Sequence, residues 1–272
     1  MINFYLSGNS VHDAVITAFY DGCPEPKRLV KNFQYQPSDV AVIFGFFKKK
    51  IAISIPRGMV FSQQRSRNLD VIVLETGYIK RGDGSENYFA AGFNGLNGRA
   101  DFKNVGMPSD RFLQLDINLK PWRATGDYIL LAGQVPWDAS VDHIDMEEWL
   151  REKIQQIRAN TDLPIVFRPH PLGNIRPLPD CEYSTRPLSA DLANARAVVC
   201  FNSNIGVDAT IEGIPVFVGD VGSMVYGIAN DDISLLGAPL LKDRQQWAND
   251  IAYTQWLPSE MSTGLAWKHL FR

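Results

Sequence analysis

Ile165-Val166-Phe167-Arg168-Pro169-His170-Pro171 is a short apolar run that stops dead at a basic residue and a histidine held between two prolines. Two further runs follow the same plan. Ala197-Val198-Val199-Cys200-Phe201 breaks into Asn202-Ser203-Asn204-Ile205-Gly206, and after a helical stretch from Val207 to Glu212 the turn Gly213-Ile214-Pro215 leads into Val216-Phe217-Val218-Gly219. Short, fully apolar strands that each end in small or polar residues are the signature of a parallel sheet, whose ligand edge lies at the strand carboxyl ends. The site of any chemistry is expected on that edge.

Working outward, Tyr128-Ile129-Leu130-Leu131-Ala132 opens this second sheet and runs into Gly133-Gln134, with Asp138-Ala139-Ser140 beyond. Apolar residues at 146, 149, 150, 154 and 157 predict a helix over Met146 to Arg158 that feeds the strand before His170. The first half repeats the pattern. Asn3 to Leu6 reads as a strand opening into Ser7-Gly8-Asn9-Ser10 and a helix from Val11 to Tyr20, a turn able to offer free backbone N–H groups to a phosphate or sugar. Further strands are expected at Asp39–Gly45, Lys50–Ile55 and Val71–Leu74, with a helix over Gln63–Asn68.

The last of these strands ends in Glu75-Thr76-Gly77-Tyr78-Ile79-Lys80-Arg81. An acid at a strand end beside a glycine suits work on a bound hydroxyl, and a role as helix cap or ion-pair partner of Lys80 or Arg81 is the structural alternative. Tyr88 to Phe102, with Gly92, Gly95 and Gly98 among Phe89, Phe93, Asn94 and Asn97, reads as a glycine-rich loop whose aromatic and amide groups suit stacking on a sugar or base. Pro108 to Arg123 reads as a crossing between domains. A βαβ pattern that restarts halfway along 272 residues implies two α/β domains, 1–122 and 123–272, facing a cleft, with a C-terminal helix packing back on the first domain and Trp256 and Trp267 in core positions.

Composition narrows the function. At 45 % hydrophobic and 21 % charged the chain is globular, and no apolar run has the length to cross a bilayer. The start lacks the basic and cleavage features of a signal peptide, so a cytoplasmic protein is expected. Three scattered cysteines and four dispersed histidines argue against a disulfide framework or structural zinc. No paired acids sit at a strand end and no obligatory metal is expected; Asp231-Asp232 reads as a surface turn. The net charge of −3 hides an asymmetry: residues 1–122 hold fifteen Lys/Arg against eleven Asp/Glu, and residues 123–272 hold twelve against nineteen. The basic excess, with Lys48-Lys49-Lys50, Arg57, Arg65 and Arg67 near one another in sequence, is either a solvated edge or a surface for an anionic partner.

His170 at a strand end and the Asn202-Ser203-Asn204 loop before a helix together describe a nucleotide phosphate site without a P-loop. The ordered set Glu75-Thr76-Gly77-Tyr78-Ile79-Lys80-Arg81, Gly133-Gln134 with Asp138-Ala139-Ser140, Arg168-Pro169-His170-Pro171, and Ser203 to Gly206 through Glu212-Gly213-Ile214-Pro215-Val216 resembles the motifs of the capsular polysaccharide Kdo-transferase family. That family is related to bacterial sialyltransferases of the two-domain GT-B glycosyltransferase fold. The resemblance implies transfer of a sugar from a nucleotide-sugar donor, UDP- or CMP-linked, to an acceptor hydroxyl. With the resemblance, donor binding is expected of Gly133, Gln134, Arg168, His170, Ser203, Asn204 and Asp208, and acceptor contact of Lys80 and Arg81; the strand-end turns add Ser7, Gly8 and Asn202 on the donor side, and the glycine-rich stretch adds Phe93 and Asn94 on the acceptor side. Thr76 stands where the family has a second acid, so only Glu75 carries over as the catalytic group and both inverting and retaining mechanisms stay open. The tail around Gln255-Trp256-Leu257 is similar to phage-encoded glycosyltransferases. With the basic first half, that points to a hydroxymethylpyrimidine in phage DNA as acceptor. A capsular or lipid-linked glycan is the alternative, and a nucleotide-sugar-binding protein without transfer activity the third reading.

Overall fold

A computed structural model describes residues 1–31, 34–45, 56–81, 87–141, 143–173 and 175–272. The strand expected over Lys50–Ile55 and the lysines at 48, 49 and 50 lie outside those residues. The chain forms two compact units, Met1–Leu115 with Ala248–Arg272 (unit 1) and Asp116–Trp247 (unit 2). The break thus falls at Leu115, ahead of Trp122, and everything from Ala248 onward counts with the first unit.

In unit 1, β1 (Ile2–Tyr5) leads to α1 (Ser10–Asp21), then β2 (Lys27–Val30), β3 (Val40–Phe44), α2 (Pro56–Arg65), β4 (Asp70–Thr76), β5 (Phe89–Phe93) and the short α3 (Asp110–Gln114). Asn9 starts α1 because its side-chain carbonyl accepts from the N–H groups of Val11 and His12. In unit 2, β6 (Tyr128–Ala132) and α4 (Met146–Asn160) precede β7 (Ile165–Arg168), β8 (Glu182–Tyr183), α5 (Leu188–Ala193), β9 (Ala195–Cys200), α6 (Ile205–Ile211) and β10 (Val216–Val218). Asp145 caps α4 through the N–H groups of Glu147 and Glu148, and its buried stripe is Met146, Leu150, Ile154 and Ile157. The chain then returns through α7 (Gln245–Ala252), β11 (Gln255–Trp256), α8 (Pro258–Ser262) and α9 (Leu265–Leu270).

The sheet of unit 2 has the order β10-β9-β6-β7-β8 and is parallel throughout. All its carboxyl ends therefore share one edge, and the four loops that follow β6, β7, β9 and β10 rise from it side by side. Unit 1 has the order β11-β5-β4-β3-β1-β2, parallel from β2 to β4 and antiparallel at β5 and β11. Its core gathers Phe4, Phe19, Phe44, Ile72 and Leu74 with Trp256 and Trp267 of the returning segment, both tryptophans under 5 % exposed. Burying two indoles and pairing β11 with β5 is what ties the C-terminal segment to unit 1.

The sequence expectation fails at Tyr88–Phe102. Phe89 to Phe93 is a fully buried central strand, and its glycine serves packing: a Cβ at Gly92 would stand 2.7 Å from the Phe102 ring. The remainder of the stretch is a tight turn through a 3-10 segment, Asn97–Arg99.

Candidate functional site

The edge of unit 2 carries a connected polar crest. Gln134, after β6, and Asn202, after β9, are both buried and bond each other twice: Gln134 Nε2–H donates to Asn202 Oδ1 (2.7 Å) and the Asn202 N–H donates to Gln134 Oε1 (2.9 Å). The Asn202 amide then donates to the Ser140 carbonyl (2.9 Å) and to Asp220 Oδ2 (2.7 Å). Asp220, two residues past β10, also accepts from the Gly222 N–H (3.1 Å), and His143 Nε2 stands 3.9 Å from its other oxygen. One amide pair thus locks three loops into a single rigid crest. Neither His143 nor Asp220 was expected from the sequence, although Asp220 follows an apolar strand by the same rule that singles out Glu75.

His170 joins this crest from β7. The Leu172 N–H donates to His170 Nδ1 (3.1 Å), so Nδ1 is the bare nitrogen and the proton of the neutral ring sits on Nε2. Burial lowers the pKa of the ring, with Asp138 opposing and Arg168 reinforcing the shift. The outcome is a neutral N–H donor suited to a phosphate oxygen. The loop after His170 folds back on the crest: the Gly173 N–H donates to the His170 carbonyl (2.8 Å), and a Cβ on Gly173 would touch the Gln134 carbonyl at 3.4 Å. Gly133 is needed for the same closeness, its missing Cβ being 3.2 Å from the Phe167 ring. Ser203 is half-buried and accepts at Oγ from the Ile205 N–H (3.4 Å). The Asn204 carbonyl opens α6, whose partly exposed Asp208 follows one turn on.

Arg168 does not join them. Its guanidinium donates to Asp191 Oδ2 (2.7 Å) and to the Arg186 carbonyl (2.5 Å); Asp191 is fully buried and also holds Arg186 Nε (2.8 Å) and Ser184 Oγ (2.7 Å). A buried carboxylate claims the charge that the sequence assigns to a donor phosphate.

In unit 1 the carboxyl ends of the parallel neighbours β1, β3 and β4 bring Ser7-Gly8, Gly45 and Glu75 to one edge. Here too an expected contact is already filled. The N–H groups of Ser7 (2.5 Å) and Gly8 (3.1 Å) and the Ser7 hydroxyl (2.8 Å) all donate to the Asp13 carboxylate. The anion bound by that turn is the chain's own Asp13, so Ser7 and Gly8 have no N–H or O–H left for a donor phosphate. Glu75 is half-buried and packs against the backbone of Gly45: a Cβ there would lie 2.7 Å from Glu75 Oε1 and 3.8 Å from Arg57 Nη1. Arg57 donates to the Phe44 carbonyl (2.5 Å), and burial lowers its pKa against the opposing pull of Glu75 and Asp13. His12 stacks on Phe44, ring centroids 3.9 Å apart and nearly parallel, and burial and Arg57 hold its pKa down. Lys80 is exposed and Arg81 half-exposed just beyond the buried Tyr78 and Ile79.

The other expected acceptor contacts fall elsewhere. β5 runs antiparallel to β4, so Phe93 pairs with Ile72 while Glu75 pairs with Ala90. Asn94 then binds the start of β4, donating to Asp70 Oδ1 (2.8 Å) and accepting from the Val71 N–H (2.8 Å). Phe93 is 6 % exposed and packs in the core. Both belong to the edge opposite Glu75. Among the described cations of the basic cluster, Arg65 pairs with Asp70, and the exposed Arg67 lies over the Tyr35 ring and donates to the Gln63 carbonyl. Asp232 caps a 3-10 turn, and its hydrogen bonds to the Ser234 hydroxyl and then to the Ser234 N–H lower its pKa. Among the described residues no helix is long and apolar enough to cross a membrane.

No protein-family model matches the chain, and no curated protein does. Solved structures are similar in fold. The β-Kdo 2,7 transferase of KpsC from Thermosulfurimonas dismutans matches with a TM-score of 0.56 and 17 % identity over 97 % of this chain and 98 % of that one. The β-Kdo 2,4 transferase of KpsC from the same organism matches with a TM-score of 0.60 and 13 % identity over 91 % and 89 %. The chain has the α/β, GT-B-like fold of these transferases, with two parallel-rich sheets.

Proposed function

We propose that the protein is a glycosyltransferase that takes a sugar from a nucleotide donor, with unit 2 holding the nucleotide and Glu75 serving as the base. The observation that carries this reading is the neutral His170, whose Nδ1 is committed to the Leu172 N–H beside the Gln134–Asn202 pair. Such a ring donates through Nε2 without bringing a cation, and Ser203 supplies a hydroxyl on the same sheet edge from the loop after β9, with β6 between. In the reaction the acceptor oxygen bonds to the anomeric carbon and gives its proton to the Glu75 carboxylate. The bond from that carbon to the donor phosphate breaks, and the charge left on the phosphate is met by His170 Nε2–H and the Ser203 hydroxyl. Of the residues expected at the donor, this account keeps His170 and Ser203 and leaves out Arg168, Ser7 and Gly8, whose donors are taken by Asp191 and Asp13.

The fold neighbours are Kdo transferases, which makes a CMP-linked sugar the first donor to test and a UDP-linked one the second. For the acceptor we favour a glycan hydroxyl over a hydroxymethylpyrimidine in DNA. A duplex is held by cations that face outward to phosphates; among the described residues Arg57 is half-buried on the Phe44 carbonyl and Arg65 pairs with Asp70, while the fold neighbours are transferases that act on glycans. Thermal shift with CMP, UDP and their sugars should give a rise of about 2.7 kcal/mol in stability at a hundredfold excess over Kd. Labelled sugar should then pass to a glycan acceptor and not to hydroxymethyl-containing DNA. Transfer to DNA alone would reverse the acceptor assignment, and no response to any nucleotide would reject the function.

A further inference from the structure

We propose that Gln255, on the returning C-terminal segment, is a positioning residue for Glu75; the proposal rests on the reading of Glu75 as the base. Gln255 is completely buried, and its side chain is spent on the loop that follows Glu75. Its Oε1 accepts from the N–H groups of Tyr78 (2.8 Å) and Ile79 (2.9 Å), and its Nε2–H donates to the Ile79 carbonyl (2.8 Å). A backbone that would otherwise bury three polar groups without partners is satisfied by one amide from 176 residues away in sequence.

The register shows why this amide bears on Glu75. Ala90 of β5 pairs with Glu75 on one side and with Gln255 on the other. Directly paired residues leave a sheet on the same face, so Glu75 and Gln255 project together across two strand spacings, roughly 10 Å. From that position the amide holds Tyr78 and Ile79, and through them the exit of β4. Gly77 makes the approach possible, since a Cβ there would stand 2.7 Å from the Tyr88 carbonyl and 3.0 Å from Gln255 Oε1. Gln255 is itself fixed. Arg111 donates to its carbonyl (2.9 Å), pairs with Glu260 through two bonds of 2.8 and 3.0 Å, and lies 3.9 Å over the Trp256 ring. The alternative, a purely structural strap, predicts lost stability without a specific loss of turnover.

The test uses the full chain, CMP affinity by calorimetry, and release of CMP from a CMP-sugar as turnover. Gln255→Met removes all three bonds at similar volume. Met261→Ala, in a core position of the same segment, is the stability control. Gln255→Met is expected to lower kcat at least tenfold with CMP affinity within twofold of wild type, while Met261→Ala keeps kcat within threefold well below its Tm. Gln255→Glu keeps the accepting oxygen, loses the amide donor and adds a carboxyl group on the sheet face that Glu75 shares, roughly 10 Å from it. It is expected to raise the acid limb of the pH–rate profile, and it carries the test if Gln255→Met does not fold. Equal kcat losses in Gln255→Met and Met261→Ala, or a wild-type profile in Gln255→Glu, would overturn the proposal. Glu75→Gln separates the two levels: full turnover in that variant removes the base, whereas an inactive Glu75→Gln beside a fully active Gln255→Met removes only the role of Gln255.

Discussion

Gly45→Ala offers a sharp test of the unit 1 edge, because the structure sets two separate costs for one methyl group. Gly45 has φ +57°, so an alanine there takes on the left-handed strain of about 1–2 kcal/mol. The methyl would also stand 2.7 Å from Glu75 Oε1, short of an ordinary contact, and the carboxylate has to move aside by several tenths of an ångström. Strain alone should lower Tm by roughly 3–6 °C. A displaced base should lower kcat about 10- to 100-fold, given that a 1 Å misplacement costs on the order of 100-fold. Gly106 separates the terms: its φ is +73° and nothing lies within 4 Å of its absent Cβ, so Gly106→Ala carries the strain without the collision. Melting curves and steady-state CMP release on both variants give the comparison. Wild-type kcat in Gly45→Ala, or an equal loss in Gly106→Ala, would refute the placement of Glu75 at the working edge.

His170→Ala should weaken CMP or UDP binding by about 1.5–3 kcal/mol, or roughly 10- to 150-fold in calorimetric Kd, as expected for a hydrogen bond to a charged phosphate; unchanged affinity would remove it from the donor site. Asp191→Asn should cost about 2–4 kcal/mol, because the fully buried carboxylate neutralises Arg168 and Arg186 and the latter is partly exposed; a Tm within 2 °C of wild type would contradict that network. His269 donates to the Phe102 carbonyl (2.9 Å), and burial lowers its pKa to about 4 from 6.5. The unfolded chain takes up that proton first, so stability is full above about pH 6.5 and falls as pH drops towards 4, by roughly 3 kcal/mol in all. His269→Gln keeps an N–H donor and should flatten that stretch of the denaturation profile; an unchanged slope would assign the acid sensitivity elsewhere.

The parallel strands were legible because strands buried on both faces must be apolar at every position, as Val40–Phe44, Ile165–Phe167 and Ala197–Cys200 are. Their ends were legible for the complementary reason that polar residues resume where burial stops. Phe89–Phe93 escaped because its glycine and alanines are set by the neighbouring Phe102 ring and β4, contacts that no local pattern announces. β2 escaped too: Lys27 to Val30 is an edge strand with only Val30 buried, so it lacks the apolar run.

At the site, the edge was readable and the allegiance of each side chain was not. Arg168 and His170 are two residues apart at one strand end, yet the arginine serves a carboxylate in α5 and the imidazole stays with the crest. The difference lies in the partner. Asp191 is fully buried, and a buried carboxylate left without a cation costs several kcal/mol, so the nearest guanidinium is drawn to it whatever its place in a motif. Asp13, only half-buried, takes by proximity the Ser7 and Gly8 N–H groups that a phosphate would otherwise use. In both units the acid that decides the matter lies outside the motif, six residues on from Ser7 and 23 on from Arg168. A motif can therefore name a strand end with confidence, whereas the charges in it belong first to whichever buried counter-charge the fold brings near. His170 is exempt because it is neutral: with Nδ1 satisfied by the Leu172 N–H, no buried acid has to claim it, and its remaining proton stays available to a ligand.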